Sequence, residues 1–298
     1  MAVLLSLRPR QWVKNFFVFA GLIFSQSLFT PLVWPALAAF AIFCALSGAI
    51  YLFNDLADVE KDRLHPTKRR RPIASGALSV PAGAAIGVLT LVGSLVAAYA
   101  LSARFGVVAT VYAALLTAYS VWLKHVVILD VLTVAIGFVL RAVAGAAAIG
   151  VEISGWLVIC TILVALFLAL GKRRHEYLTL HGDAAAHRPI LAEYSESFLD
   201  QMVAVVTAST VTAYALYTMS PDTVAKFHTR WLPLTLPFVL YGVFRYLYLL
   251  YRRDLGGNPS DLLLSDRALL INTVLWMVAL LLVIYGPVWG VWLTRWLD

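Results

Sequence analysis

The chain has 298 residues, of which 61% are hydrophobic and 13% charged, and its mean hydropathy is +0.85. Soluble domains carry about 25% charged residues, so this composition excludes an ordinary soluble fold and points to an all-α polytopic membrane protein. The net charge of +7 is not the footprint of a nucleic-acid binder, because the cations cluster at the ends of apolar runs, where membrane topology accounts for them.

The N-terminal segment LRPRQWVKNFF is basic and aromatic. Such a segment is expected to lie in the membrane interface, with Trp12 and Phe16 at headgroup level and Arg8 and Arg10 as surface cations. Lys14, nearer the first apolar run, is placed to reach a phosphate. No A-x-A-like site closes that run, so a removable leader is not expected. Nine spans are expected, at roughly 13–33, 36–54, 79–101, 105–123, 127–149, 154–171, 199–219, 232–251 and 268–290. They form a single integral-membrane domain over 1–298. Cys44 and Cys160 both fall inside apolar runs and indicate neither a disulfide framework nor a zinc site.

Between the second and third spans stands NDLADVEKDRLHPTKRRRPIASG, residues 54–76, with four acidic and six basic side chains. On one continuous helix, Asn54, Asp55, Asp58 and Asp62 fall within an arc of about 100°, and Glu60 points away. Carboxylates so placed repel one another unless a cation sits among them, and hard oxygen donors suit Mg²⁺. The HPTKRRRP next to it is a dense set of donors for phosphate oxygens. A metal-carboxylate face beside an anion clamp is what a diphosphate ligand requires. For the arginine run alone, a loop that only fixes topology is an equal reading; three aspartates on one face serve no such purpose.

Arg141 lies near the middle of the fifth span. A charge at that depth costs about 2.5–3.5 kcal/mol on insertion scales, so it faces a polar cavity or a partner. Asp130, three turns earlier on nearly the same face, is a candidate ion-pair partner, as are Asp55 and Asp58; contact with a ligand is the other reading. The small residues at 142 and 144–148 mean either tight helix packing or room for a bulky ligand. After the sixth span, GKRRHEYLTLHGD offers a second anion site in Lys172, Arg173, Arg174 and His175, and Lys172 and Glu176 form an i, i+4 pair. A second metal set would have to come from Glu176 and Asp183, since no compact acidic cluster stands here. His175, His181 and His187 read as solvated loop residues, because a spacing of six matches no helical ligand pair. The loops 55–78 and 172–198 repeat one pattern, a span pair closed by a charged segment, and are expected to face one cytoplasmic cavity. The loop 252–267, with Gly256, Gly257 and Pro259, is a lid or a connector. Assigning alternate loops to one side places 17 Lys/Arg there against Arg104, Lys226, Arg230 and Arg295 on the other. That asymmetry puts the N-terminus and the charged loops in the cytoplasm and the C-terminus outside.

The pattern NDxxDxxxD at the end of a second span, followed by HPxKRxRPIASG, resembles the UbiA superfamily of intramembrane prenyltransferases, and the likeness runs along essentially the whole chain. Within it, RPRQWVKN, YSVWLKHVVILDV, GFVLRAVAG and LGKRRHEY look most like the decaprenyl-phosphate phosphoribosyltransferases. The resemblance implies a UbiA-like bundle around a cytoplasm-facing cavity in a bacterial plasma (inner) membrane. It implies Mg²⁺-dependent transfer of 5-phosphoribosyl from phosphoribosyl diphosphate to a polyprenyl phosphate, releasing pyrophosphate, for cell-envelope arabinose-lipid precursors. Asn54, Asp55, Asp58 and Asp62 would then hold the metal. Lys14, Lys68, Arg69, Arg71, Lys172 and Arg173 would contact phosphates, joined by Tyr119, Lys124, Arg141 and Glu176. One departure bears on the substrate: aromatic prenyltransferases of the superfamily carry a second DxxxD cluster after the sixth span, and here that loop begins KRRHE. An aromatic prenyltransferase therefore remains the alternative, with an anion transporter more remote. Membrane lipids surround the chain, and the sequence leaves a homo-oligomer open.

Overall fold

A computed structural model describes residues 2–64, 68–179, 189–253 and 255–297. Among the described residues, eight helices are long and apolar enough to cross a membrane. They are α1 (Val33–Ala57), α2 (Val80–Leu101), α3 (Ala103–Val121), α4 (Leu129–Ile149), α5 (Gly155–Thr179), α6 (Glu196–Met219), α7 (Leu236–Arg252), which reaches spanning length together with the 3₁₀ turn Leu232–Thr235 before it, and α8 (Arg267–Leu297), whose spanning part is Arg267–Val288. This is the architecture of an integral membrane protein. Local chemistry sets several ends. Ser79 Oγ accepts the Ala82 N–H at the start of α2, where Pro81 in the first turn removes no helical hydrogen bond, and Ser195 caps α6 through the Phe198 N–H.

The expected span at 13–33 departs furthest from a simple helix. Pro9–Phe19 is a 3₁₀ run and Ala20–Phe24 a short α-helix, closed by Gln26 in left-handed backbone at φ 58°. This segment lies backbone-to-backbone on α4. A methyl added at Gly145 would stand 1.7 Å from the Val18 carbonyl oxygen, and one at Gly21 would stand 2.8 Å from Ala146 Cα. The small residues of α4 thus serve close packing here.

The chain divides into two compact units, Met1–Lys124 with Ile136–Ile153, and His125–Ala135 with Ser154–Asp298. The first is built on α1 against α2, with Phe43, Leu46, Phe105 and Tyr112 in its core. Its Phe43 ring lies 5.6 Å from Phe105 and 5.1 Å from Tyr112. A smaller cluster of Leu52, Ile73 and Leu78 pins the segment 68–78 beneath α1. The second unit pairs α5 with α6 and α7 with α8 around Phe167, Leu170, Leu199, Val203, Tyr246 and Leu250. Leu89 and Val96 on α2, Val205 on α6 and Leu275 on α8 stay exposed, as lipid-facing side chains do.

Candidate active site

The aspartate stretch does not form one continuous helix. α1 stops at Ala57, Asp58 takes the C-cap at φ −100° and ψ 10°, and a new short helix covers Val59–Leu64. The expectation of a single helical face is corrected on this point. The Asp58 and Asp62 N–H groups still reach the Asn54 and Asp58 carbonyls at 3.0 and 2.8 Å, so the break turns the chain with little loss of hydrogen bonding. Asp55 and Asp62 are 3% and 2% exposed. Arg71 Nη1 donates to both, at 2.8 Å to Asp55 Oδ1 and 2.6 Å to Asp62 Oδ2. One nitrogen bonded to two carboxylates means that they converge on one cation position. Arg71 is held there because its N–H closes the 3₁₀ turn Lys68–Arg70 at 2.9 Å, and the buried Ile73 anchors the chain two residues further on.

Arg8 corrects a second expectation. It is no surface cation: its guanidinium donates to Asp55 and lies 4.9 Å from the Tyr51 ring centroid. Asn54, in the last turn of α1, and Asp58, on the turn between the two aspartates, are half-buried, and Lys68 and Arg69 are exposed on the 3₁₀ turn. Lys14 is half-buried in the 3₁₀ run Pro9–Phe19, Tyr119 sits in the last turn of α3, and Lys124 occupies the 3₁₀ turn Leu123–His125.

Arg141, 4% exposed, bonds none of the aspartates proposed for it. Its Nε donates to Asn15 Oδ1 at 2.8 Å, Nη2 to the Tyr112 hydroxyl at 2.7 Å and Nη1 to the Gly137 carbonyl at 2.8 Å. Asn15 in turn donates to Ser47 Oγ at 3.1 Å. Neutral oxygens thus solvate the buried cation.

The second unit carries its own buried network. Asp130, fully buried, accepts from Arg173 Nε at 2.6 Å on one oxygen and from the Tyr194 hydroxyl at 2.7 Å on the other. The Tyr194 oxygen also accepts the Ile128 N–H at 2.9 Å, where Ile128 has φ 68°. Burial, with the Asp130 carboxylate beside it, pushes the Tyr194 phenol up to about 12. Arg173 Nη1 donates to Glu176 at 2.5 Å, and Lys172, 44% exposed, reaches Glu176 at 3.6 Å. Arg174 pairs with Asp200 and Glu196 at 2.6 and 3.2 Å and stacks over Tyr251. Asp183, His181 and His187 lie outside the described residues. Among the described residues, no group of three or more His, Cys, Asp or Glu gathers at one point. The acids of this unit are instead paired with arginines.

The donor set at Asp55 and Asp62 fits Mg²⁺. The ion is bound through one or two carboxylates and keeps its other positions for water and substrate phosphate, and two buried carboxylates converging on a cation supply that much. Sequence patterns did not single out Tyr194, Tyr112 or Asn15, each of which acts through a contact far away in the chain.

A helical membrane bundle with a buried carboxylate pair and a basic segment beside it is the frame of a membrane-embedded transferase. Residues 15–265 match the UbiA prenyltransferase family, and the chain belongs to that family. It is 35% identical over 292 residues to the decaprenyl-phosphate phosphoribosyltransferase of Corynebacterium glutamicum, covering 94% of this chain and 86% of that protein. It is 33% identical over 284 residues to the protein of that name from Mycolicibacterium smegmatis, covering 91% and 89%. A UbiA homolog from Archaeoglobus fulgidus bound to GPP and Mg²⁺ is similar in fold, with a TM-score of 0.73 at 19% identity over 95% of this chain and 99% of that one.

Proposed function

We propose that the chain transfers 5-phosphoribosyl from phosphoribosyl diphosphate to the phosphate of a polyprenyl phosphate, with release of pyrophosphate and with Mg²⁺ as cofactor. The observation that carries this reading is the 35% identity to the C. glutamicum phosphoribosyltransferase along 94% of the chain. The site agrees with it: Asp55 and Asp62 converge on one cation position beside the basic segment 68–71, which suits a diphosphate.

Asp55 and Asp62 would hold the metal, joined by Asn54 just before Asp55 and by Asp58 on the turn between them. Bound there, Mg²⁺ would neutralise charge on the diphosphate. Arg71, Lys68, Arg69 and Lys14 would supply cations to the phosphate oxygens, meeting the charge that gathers on pyrophosphate as the C1–O bond stretches. The acceptor phosphate forms its bond to C1 as the bond to pyrophosphate breaks. That nucleophile is already anionic, so no side chain is assigned as a base. In the second unit, Lys172 keeps an exposed side chain for phosphate, whereas Arg173 is engaged by both Glu176 and Asp130. Tyr119, Lys124 and Arg141 remain in this reading as supports of the substrate site. The chain acts as a single integral-membrane domain, and its charge asymmetry supports cytoplasmic active-site loops in a bacterial plasma membrane.

A transfer assay in detergent, with labelled phosphoribosyl diphosphate, a polyprenyl phosphate and Mg²⁺, tests the proposal. A labelled lipid product is expected, and it should vanish with EDTA and in Asp58→Ala. Transfer from a prenyl diphosphate to an aromatic acid, with no phosphoribosyl lipid, would overturn the choice of substrate.

A further inference from the structure

The carboxylates assigned to the metal are each already bonded to a cation of the chain itself. Arg71 Nη1 stands between Asp55 and Asp62, and Arg8 donates to Asp55 from 47 residues away. Arg8 does so from left-handed backbone, φ 52° and ψ 65°, directly before Pro9. A residue before proline favours extended backbone, and a non-glycine residue at positive φ is strained unless its surroundings hold it. A cation lying loosely at the interface would have no reason to adopt that conformation. The buried Asp55 carboxylate supplies one.

We propose that Arg8 and Arg71 are place-holders for the metal, and that the divalent ion binds by exchange with them. The carboxylate pair is then neutralised in either state. When the metal takes the carboxylate oxygens, two guanidiniums are released beside the same point, with their donors free to turn to the oxygens of the diphosphate. Metal and diphosphate consequently load together: a lone metal must displace two tethered cations, and a lone diphosphate finds its arginines engaged. Arg8 is thereby a further residue of the site, which neither the aspartate motif nor the basic segment 68–71 contains. The inference rests on the metal site proposed above and adds the order in which it fills.

The test is binding of Mn²⁺ alone to the purified full-length protein in detergent, read by electron paramagnetic resonance. Arg71→Gln and Arg8→Gln are compared with Arg70→Gln, which removes one charge from the same turn but none from the carboxylates. If the arginines are place-holders, each of the first two variants binds Mn²⁺ more tightly than the wild type, on the scale of about fivefold or more that separates coupled from independent sites. Arg70→Gln should remain within about twofold of the wild type on that same scale. Arginines that merely brace the aspartates predict the opposite sign, and weaker binding in Arg8→Gln and Arg71→Gln would overturn the exchange while leaving the metal site intact. Equal tightening in all three variants would reduce the effect to net charge and also overturn it. Should Arg71→Gln fail to fold, Arg8→Gln carries the test alone. Absence of Mn²⁺ binding from every form, with and without pyrophosphate, would instead sink the metal site.

Discussion

Asp130 has no exposed surface, a guanidinium on one oxygen and a phenol on the other. Burying both ions of a pair is close to neutral in free energy when the geometry is good, whereas removing one partner strands the other. Asp130→Ala is therefore expected to destabilise the protein by about 3–5 kcal/mol, measured as a shift in thermal or denaturant unfolding in detergent. The double variant Asp130→Leu/Arg173→Met should recover much of that loss; failure to recover would show that the network is worth more than its pairwise ionic part. The site was only partly legible at this scale. Asp55 and Asp62 stood out because carboxylates are rare in so apolar a chain. Arg8 did not, because a basic aromatic segment looks alike whether its cation meets water or an aspartate 47 residues on. For Arg141 the demand for partners was readable from its depth in a span. Their neutrality was not, since hydroxyl and amide oxygens such as those of Tyr112 and Asn15 leave no charge pattern to count.

At the scale of elements, the contact between residues 9–24 and α4 is the least forgiving. A methyl at Gly145 would meet the Val18 backbone, which cannot swing away as a side chain does. Gly145→Ala is expected to cost about 1–3 kcal/mol through overpacking, seen as a lowered unfolding temperature and reduced folded yield. Gly93, in the interior of α2, has open space where its Cβ would stand. Gly93→Ala should be neutral or stabilising by about 0.5–1 kcal/mol. If both substitutions lowered stability alike, close approach would not be the reason for glycine at 145. Hydropathy located the helices α1 to α8 well, because each is an apolar run bounded by polar turns. It mistook the first run for a plain helix, since composition does not distinguish a 3₁₀ coil from an α-helix when tertiary packing decides between them. The aspartate turn failed for a related reason: spacing places residues on a face only if the helix continues, and α1 ends at Ala57.

For the molecule as a whole, the native thiols lie within spans, Cys44 in α1 and Cys160 in α5, so single reporter cysteines can map its orientation once both are replaced by alanine. In Arg70→Cys a membrane-impermeant maleimide should label inverted vesicles only, and in Lys226→Cys intact spheroplasts only. The reverse pattern would overturn the cytoplasmic placement of the active-site loops. Arg141 has one more consequence, for how such a chain is made. Asn15, Tyr112 and Gly137, the groups that bond it, all precede it in the chain. A ribosome therefore delivers Asn15 and Tyr112 to the translocon before α4 emerges, and Gly137 arrives one turn ahead of Arg141 within α4 itself. The charged helix need never wait in lipid for a partner still unmade, and order of synthesis does for Arg141 what a counter-ion would otherwise have to do.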